Sequence, residues 1–382
     1  MIANRVRSLL AGGANVYTIL PIDALLHDSN YAFDNSLSLI DTTHLILSYN
    51  GNTMDQTLKT FSIDSSADNI TQIDENIADT ARGQFNSIVK IDATHFIVAH
   101  CGNGEDGYIA TVSIDGAYDN IAVILSIEHD TGYGAYNKLL KVDDTHFILA
   151  YDGGTGATIK TFVIDGEYGI TAVDSLVHDV NGGWYQAFEQ IDSTHYLLVY
   201  GNMSTLYDAY VKTFSIDANA DNITELHVMT YDDATESDMN NLQNATLCRI
   251  DATHLLLACC MWDYTLEDWG GYIKVLTVDG SYNISELVSY KHHAGGTLGN
   301  SMVNIQDMDY VLAFSNSDTS GFLKTFTLSE TYAILEGLTP YTFTTQTFYE
   351  NCIIAVDTTH YALAYAEAIN KAYLATFSVV KT

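Results

Sequence analysis

Short apolar runs separated by polar turns follow one another along the whole chain. The runs are rich in Val, Ile, Thr, Tyr and Phe, as in residues 86–92 and 108–115, and these side chains favour β-strands. Gly, Asn and Asp bound the runs, as expected of turns between strands. The pattern predicts an all-β protein built of short strands.

One phrase returns at nearly constant intervals. The segment IDATHFIVAH at 91–100 recurs as VDDTHFILAY at 142–151, IDSTHYLLVY at 191–200 and VDTTHYALAY at 356–365. Asp309 holds the place of the phrase's histidine in one further copy. The histidine itself is found at His44, His95, His146, His195, His254 and His360. A period of about 50 residues indicates a repeat architecture.

Each copy contains four strand-like runs, here called a to d. In the second copy they cover 86–92, 95–100, 108–115 and 120–130. Strand b is apolar on both faces in most copies, which fits a sheet that packs against a neighbour on each side. Seven units of four antiparallel strands predict an all-β, seven-bladed β-propeller.

The two ends of the chain are predicted to share the last blade. The seventh copy lacks a strand d, whereas residues 16–28 fit that pattern before the first copy begins. Pairing of residues 16–28 with the seventh copy closes the ring. It also leaves no free sheet edge, and free edges promote aggregation. We therefore predict one domain over 1–382, with 16–28 as the outer strand of blade 7 and blades at 35–79, 86–130, 137–179, 186–232, 244–293, 300–342 and 351–380.

The repeat, D-x-T-H followed by three apolar residues, Ala and Tyr, resembles repeats in propeller-like proteins of microbes and their viruses. The resemblance covers essentially the whole chain and implies the propeller fold. It implies no activity, because most proteins with such repeats have no assigned function. The motifs of WD-repeat, integrin-type and sialidase propellers are missing, so the chain is not typical of those classes or of kelch proteins.

The charge of the chain excludes several partners. Its net charge is −33, from 48 acidic and 15 basic residues. Such a surface repels nucleic acid phosphates and anionic membranes. No apolar run reaches the roughly 18 residues of a membrane-spanning helix, so membrane insertion is not expected either. Five cysteines without CxxC spacing indicate neither a disulfide framework nor a zinc site.

The six repeated histidines are interpreted as structural. A catalytic group is needed once, whereas these residues recur around a ring and lie too far apart to share a metal. The Asp and Thr of the phrase are expected to cap the turn between strands a and b, and the His to bridge neighbouring polar groups. No cofactor is expected. Calcium at the Asp-rich turns between strands c and d is the alternative.

An amide recurs at the start of strand a. The position is occupied by Asn35, Asn86, Asn137, Gln186, Asn300 and Asn351, with Ala245 in the remaining copy. Strand a is expected to line the central channel, so these amides either ring its mouth or make a hydrogen bond that starts the strand.

Any specific recognition is expected on one side of the disc. The a–b and c–d turns form one side, here the turn face, and are nearly uniform. The b–c and d–a loops form the other side, the loop face, and vary in length and content. Sugars stack on exposed aromatic rings, and protein partners use them as hot spots. The candidate ligand-binding residues are Tyr133, Tyr136, Trp184, Tyr185, Trp262, Asp263, Tyr264 and Trp269, with the last four in a long b–c loop at 259–272.

These observations favour a non-enzymatic recognition module. It is expected to bind a glycan or a protein partner through the loop face, at an extracellular or virion surface. One alternative is a polysaccharide-acting hydrolase or lyase with carboxylates at the channel mouth. Its candidate residues are Glu105, Asp263, Glu267 and Asp268. The other alternative is an architectural subunit that assembles with further copies into a virion or filament.

Overall fold

The computed structural model describes residues 14–30, 32–202, 208–231, 242–263, 268–316, 320–337, 339–346, 348–367 and 371–382. Within these ranges the chain is almost entirely β-strand, with one short 3-10 turn at Asn103–Glu105. This part of the chain has no helix with the length and apolarity that crossing a membrane requires.

The strands are numbered in chain order. The first nine are β1 (Tyr17–Asp28), β2 (Phe33–Asp41), β3 (His44–Asn50), β4 (Gln56–Ile63), β5 (Ile70–Asp79), β6 (Gln84–Lys90), β7 (His95–Cys101), β8 (Gly107–Ile114) and β9 (Ile121–Asp130). The next twelve are β10 (Gly134–Lys141), β11 (His146–Gly153), β12 (Gly156–Ile164), β13 (Ile170–Asp179), β14 (Trp184–Gln190), β15 (His195–Gly201), β16 (Ala209–Ile216), β17 (Ile223–Tyr231), β18 (Gln243–Arg249), β19 (His254–Asp263), β20 (Asp268–Val278) and β21 (Ile284–Ala294). The last eight are β22 (Thr297–Gln306), β23 (Asp309–Asn316), β24 (Gly321–Leu328), β25 (Ile334–Glu336), β26 (Tyr341–Thr344), β27 (Phe348–Ala355), β28 (His360–Glu367) and β29 (Lys371–Lys381).

The described strands form seven antiparallel sheets, one per repeat. Blades 1 to 5 each use four consecutive strands, beginning at β2, β6, β10, β14 and β18. Blade 6 comprises β22 to β25, and β26 continues its outer edge along β24. The innermost strands contact one another in order around the ring, and β27 of blade 7 contacts β2 of blade 1. The chain is a seven-bladed β-propeller.

Blade 7 contains strands from both ends of the chain. Its sheet has the order β1-β29-β28-β27, and β1 runs antiparallel to β29 from the pair Tyr17–Lys381 to the pair Asp28–Ala372. The hydrogen bonds of this pairing satisfy the backbone groups of β29, which is otherwise a free edge.

The apolar core lies between blades. In β7, Phe96 and Ile97 are both fully buried, although successive side chains of a strand point to opposite faces. Phe96 packs with Ile46 of blade 1, and Ile97 packs with Leu149 of blade 3. Burying one such side chain contributes about 1.5–3 kcal/mol. Each blade therefore depends on both neighbours for its core.

In four of the blades the repeated histidine joins the blade to the next one on the turn face. His95 of blade 2 lies 2.9 Å from Asp92, through its Nδ1 atom, and its ring stacks on Tyr168 of blade 3 with centroids 3.5 Å apart. The Tyr168 hydroxyl donates a 2.7 Å hydrogen bond back to Asp92. The same arrangement joins His44 to Tyr118, His195 to Tyr282 and His254 to Tyr332.

Asp309 replaces the histidine where blade 6 meets blade 7. This buried carboxylate accepts hydrogen bonds of 2.5 Å from the Tyr17 hydroxyl and 2.6 Å from Thr327. Tyr17 lies in β1 and therefore supplies, from the start of the chain, the phenol that other blades take from a c–d turn. The contact secures β1 to blade 6 as well as to blade 7.

A second set of histidines is buried between blades at the loop-face end of strand d. His129 packs edge-on against Tyr151 of the next blade, with centroids 4.7 Å apart, and its carbonyl oxygen accepts a 2.5 Å hydrogen bond from Lys160. Neither ring nitrogen of His129 has a partner among the described residues. Burial and the Lys160 charge lower its pKa to about 3. The same lowering to about 3 holds for His27, His178 and His292.

Candidate functional site

Strand a is bulged where it enters the channel from the loop face. The register shifts at this point in all seven blades, and in six of them the bulged residue has positive φ. These residues are Asp34 (55°), Phe85 (56°), Tyr136 (54°), Tyr185 (52°), Asn244 (50°) and Gly299 (54°). A non-glycine residue in this region costs about 1–3 kcal/mol, and bulges redirect side chains. The bulges place six rim residues around the channel mouth, and five of them are strained.

The recurring amides hold these bulges in place. The Asn137 amide donates to the carbonyl of Gly134 at 3.0 Å and to the carbonyl of Phe85, in the preceding blade, at 3.2 Å. Asn300 donates in the same way to the Asn244 carbonyl, at 3.0 Å. The amides therefore line the channel mouth and also make strand-start hydrogen bonds, so both sequence-based interpretations describe them.

Several amide oxygens at the mouth are buried acceptors. The side-chain oxygens of Asn137, Gln186, Asn300 and Asn351 accept no hydrogen bond from any described residue. A buried acceptor left unpaired costs about 1–3 kcal/mol.

The mouth is a cavity of about 110 Å³ to which all seven blades contribute. It is lined by Asp34, Asn35, Phe85, Asn86, Tyr136, Asn137, Lys138, Tyr185, Gln186, Asn244, Ala245, Gly299, Asn300 and Asn351. Amide and aromatic side chains dominate this lining. Asp34 and Lys138 are the charged residues among the described lining.

One side of the mouth carries an aromatic cluster, formed by Phe85, Tyr136, Trp184 and Tyr185. The Tyr136 ring lies 4.5 Å from Phe85, 5.3 Å from Tyr185 and 5.9 Å from Trp184, measured between centroids. Three of the four rings are the predicted residues Tyr136, Trp184 and Tyr185. The cluster spans blades 2 to 4 and presents half-buried ring faces next to the amide oxygens.

A buried carboxylate contacts the loop that leads into the cluster. Asp152, at the end of β11, is 6% exposed and accepts a 3.1 Å hydrogen bond from the Gly183 N–H. Burial raises its pKa to about 6, opposed mainly by the hydrogen bond from the Gly183 N–H. Tyr133, another predicted site residue, lies near this carboxylate, and burial followed by the Asp152 charge raises the Tyr133 pKa to about 12.

A separate cleft lies beside the predicted tryptophans of blade 5. Trp262 and Trp269 are cross-strand partners with centroids 5.8 Å apart. Trp269 and Asp268 line the cleft together with Gln243, Cys260 and Leu298. Gln243 and Leu298 directly precede Asn244 and Gly299 of the channel mouth, so the two cavities are neighbours.

The prediction of a loop over 259–272 is wrong in part. Strands β19 and β20 continue to Asp263 and from Asp268, because the cross-strand tryptophan pair extends the hairpin. Tyr264 and Glu267 lie outside the described residues, as does the Asp263 side chain.

The described carboxylates of the enzyme alternative lie on different blades. Glu105 accepts a 2.8 Å hydrogen bond from Arg82 in blade 2, whereas Asp268 lies in the blade 5 cleft. The acids of the c–d turns cap backbone N–H groups, as Asp115 does for Ala117 at 3.1 Å. No cluster of three or more metal-ligating side chains occurs in the part of the chain described.

Sequence reasoning missed some residues of the mouth. Asp34 and Asn244 were not candidates, although both directly precede the strand-a position that was singled out. Asp152 was missed as well. Its signal is a departure from the repeat, because the equivalent residues are uncharged in the other blades: Asn50, Cys101, Gly201, Cys260, Ser315 and Ala366.

No protein-family model and no curated protein matches this sequence. Solved structures match its fold. The periplasmic gluconolactonase of Pseudomonas aeruginosa has a TM-score of 0.62 and 14% identity, with 84% of this chain and 86% of that chain covered. A chain of the COPII outer coat has a TM-score of 0.61 and 13% identity, covering 91% and 84%. Saccharomyces cerevisiae Sqt1 has a TM-score of 0.57 and 8% identity, covering 97% and 100%. At these identities the similarity extends to the fold alone.

Proposed function

We propose that the protein is a non-enzymatic recognition module that binds a glycan at the channel mouth. The observation that carries this proposal is the aromatic cluster, held on strained bulges beside buried amide oxygens. Strained backbone concentrates at ligand sites, and here the same strain recurs around one cavity. The module is proposed to act at an extracellular or virion surface.

The chemistry of the mouth suits a ligand rich in hydroxyl groups. The ring faces of Tyr136 and Tyr185 offer apolar surface for the C–H face of a sugar. The amide side chains that line the cavity, Asn137 and Asn300 among them, offer hydrogen-bonding groups for its hydroxyl groups. A sugar suits both kinds of surface at once, whereas a purely apolar ligand makes no use of the amide side chains.

A glycan fits this mouth better than a protein surface does. Stable protein interfaces cover about 800 Å² on each partner, whereas the mouth is a small concave cavity. The net charge of −33 favours a neutral or basic sugar over an anionic polysaccharide.

The blade 5 cleft is proposed to extend the site. Because Gln243 and Leu298 of the cleft adjoin Asn244 and Gly299 of the mouth, an oligosaccharide can pass from one cavity to the other. Trp269 then supplies a second stacking surface. Affinity is expected to rise with the length of the oligosaccharide.

A glycan array tests the proposal, with affinities of positive glycans measured by calorimetry. Tyr136→Ala is expected to weaken binding by about tenfold or more, through loss of a stacking partner. Tyr118→Ala is the matched control, because Tyr118 also has positive φ (63°) but lies on the turn face. Trp269→Ala is expected to abolish the rise in affinity with oligosaccharide length and to leave the affinity for short sugars unchanged. Absence of glycan binding, or an equal loss in the control, would refute the proposal.

Turnover and assembly assays separate the two alternatives. Cleavage of a bound glycan, or hydrolysis of an aldonolactone, would replace recognition by an enzymatic function. Regular polymers of the purified protein in negative-stain images would favour the architectural role. The proposed module is expected to remain free of both activities while binding its glycan.

A further inference from the structure

We propose that Lys138 selects the sugar that the channel mouth binds, by pairing its ammonium group with a carboxylate on that sugar. The preferred ligand is then an oligosaccharide whose terminal residue is an acidic sugar and whose other residues are neutral. This inference rests on the proposed function and deepens it, because it names the class of sugar.

Lys138 is an exposed lysine on the wall of the cavity. It lies in β10, the innermost strand of blade 3, and its exposed side chain is part of the cavity lining. Within the described part of the chain, Lys138 makes no hydrogen bond and no ion pair with another residue. The three N–H donors of its ammonium group therefore remain for a ligand.

The lysine departs from the repeat at a position that has a structural role in other blades. The position directly follows the recurring amide of strand a, and in three copies it holds a serine. The Oγ atoms of these serines accept strand-a N–H groups of the next blade at 3.1, 3.0 and 3.0 Å, in Ser36, Ser87 and Ser301. The remaining copies carry Ala187, Thr246 and Cys352. The repeat therefore does not require a charge here, which indicates a role specific to blade 3.

The ammonium group lies next to the proposed stacking surface. Tyr136 precedes Lys138 by two residues in β10, so their Cα atoms are at most about 7 Å apart. Both residues line the same cavity, together with Tyr185 of blade 4. A single sugar residue can therefore stack its C–H face on a ring and present a substituent to Lys138.

The negative charge of the chain is not concentrated on the channel strands. The seven innermost strands contain as many basic as acidic residues, four of each, although the whole chain has a net charge of −33. The acidic excess therefore belongs to the outer strands, turns and loops. Exposed charges are screened beyond about 8 Å in physiological salt. The mouth can therefore accept one anionic group, whereas the further charges of a polyanion would meet the acidic exterior.

The charges of the lining favour a carboxylate over other anionic groups. Lys138 is the cation of the described lining, and Asp34 is its acid. A phosphate ester carries a charge of about −1.5 to −2 at neutral pH, which one lysine beside an aspartate does not balance. A sulfate ester carries a single charge but has three terminal oxygens. The carboxylate is the smaller group and suits a cavity of about 110 Å³.

Matched sugars test the inference with the wild-type protein. The probes are short neutral oligosaccharides that end in glucose or galactose, the same compounds ending in the corresponding uronic acid, and the same compounds sulfated at the terminal primary hydroxyl. Calorimetry is expected to show that the uronic acid form binds about five to ten times more tightly than the neutral form, and more tightly than the sulfated form. The preference is expected to shrink as salt is raised from about 0.05 M to about 0.5 M.

Variants assign the preference to one side chain. Lys138→Met keeps the apolar stem and is expected to lower the affinity for the uronic acid form to that for the neutral form. Lys138→Arg keeps the charge and is expected to retain the preference. Lys371→Met is the matched control, because Lys371 is exposed, lies outside the cavity lining and gives the same change in net charge. It is expected to bind as the wild type does.

The outcomes separate this inference from the proposed function. Equal affinity of the wild type for the acidic and neutral forms, or a preference that persists in Lys138→Met, would overturn the role of Lys138 and leave glycan binding in force. An equal loss in Lys371→Met would assign the preference to net charge and overturn it too. Tighter binding of the sulfated form would overturn the carboxylate. Absence of binding to all three forms refutes the proposed function, and this inference with it.

Discussion

The ring of Tyr168 in blade 3 stacks on the ring of His95 in blade 2, with centroids 3.5 Å apart. The phenol also donates to Asp92, so the contact combines stacking with a hydrogen bond to a charged group. Tyr168→Ala is expected to lower the free energy of unfolding by about 1 kcal/mol, measured by urea denaturation. Ala220 and Ala67 occupy the equivalent turn position with φ of 56°, so the backbone accepts alanine there.

Tyr168→Phe divides this contact into its two parts. It keeps the ring and removes the hydroxyl, so its loss of stability is expected to be smaller than that of the alanine variant. Equal stability of all three proteins would show that the contact contributes nothing to holding the blades together.

Strand β1 is expected to be essential to the ring. Deleting residues 1–28 removes the outer strand of blade 7, exposes the edge of β29 and removes Tyr17 from Asp309. The deletion is expected to give insoluble protein or protein without a cooperative thermal transition. Leu20→Ser changes an exposed side chain of the same strand and serves as the control. A soluble truncated protein that unfolds cooperatively would contradict the closure of the ring by β1.

Acid is expected to destabilise the fold through the buried histidines. Their pKa is about 3 in the folded protein, below the ordinary value of about 6.5 in the unfolded chain. Between these values the unfolded chain binds more protons, so stability is complete above about pH 6.5 and falls as the pH drops towards about 3. Each histidine contributes at most about 1.4 kcal/mol per pH unit.

The aspartates of the repeated phrase also make the fold less stable as the pH falls, but at lower pH than the histidines do. Burial opposes ionisation of Asp92, but hydrogen bonds led by the Thr94 N–H outweigh burial and lower its pKa to about 2. Urea denaturation at several pH values checks both effects. His129→Leu is expected to reduce the slope of stability against pH between about pH 6.5 and about pH 4, and an unchanged slope would exclude His129 as a contributor.

The bulged residues are expected to support glycan binding while lowering the stability of the fold. Tyr136 has φ of 54°, and Gly299 occupies the same position in blade 6. Tyr136→Gly is expected to be more stable than Tyr136→Ala by about 1 kcal/mol, because glycine adopts positive φ without strain. Both variants are expected to lose glycan affinity alike. A glycine variant less stable than the alanine variant would show that the bulge is unstrained.

The repeat made the fold predictable, because its four runs per copy reported both the number of blades and the order of the strands. The repetition gave no information about the contacts of individual residues that differ between copies. His95 was expected to bridge polar groups and lies beside Asp92 and Thr94. Its ring also stacks on a tyrosine 73 positions away, which the sequence of that turn did not indicate.

The bulges were not predictable from residue types. Asp34, Phe85, Tyr136 and Asn244 have no residue type in common, and the carbonyls of Phe85 and Asn244 are held by an amide of the neighbouring blade. Sequence reasoning found Tyr136, Trp184 and Tyr185 because they lie in variable loops, but it did not select Phe85. It missed Asp152 because a single acid is inconspicuous in a chain with 48 of them.

The His–Tyr contacts lie on one face of the disc, and the bulged residues lie on the other. This separation has a consequence for engineering. Each bulged position belongs to a different blade and takes no part in the contacts that lock the turn face. Combinatorial libraries at these positions can therefore be built on an unaltered framework, and new specificities selected one blade at a time.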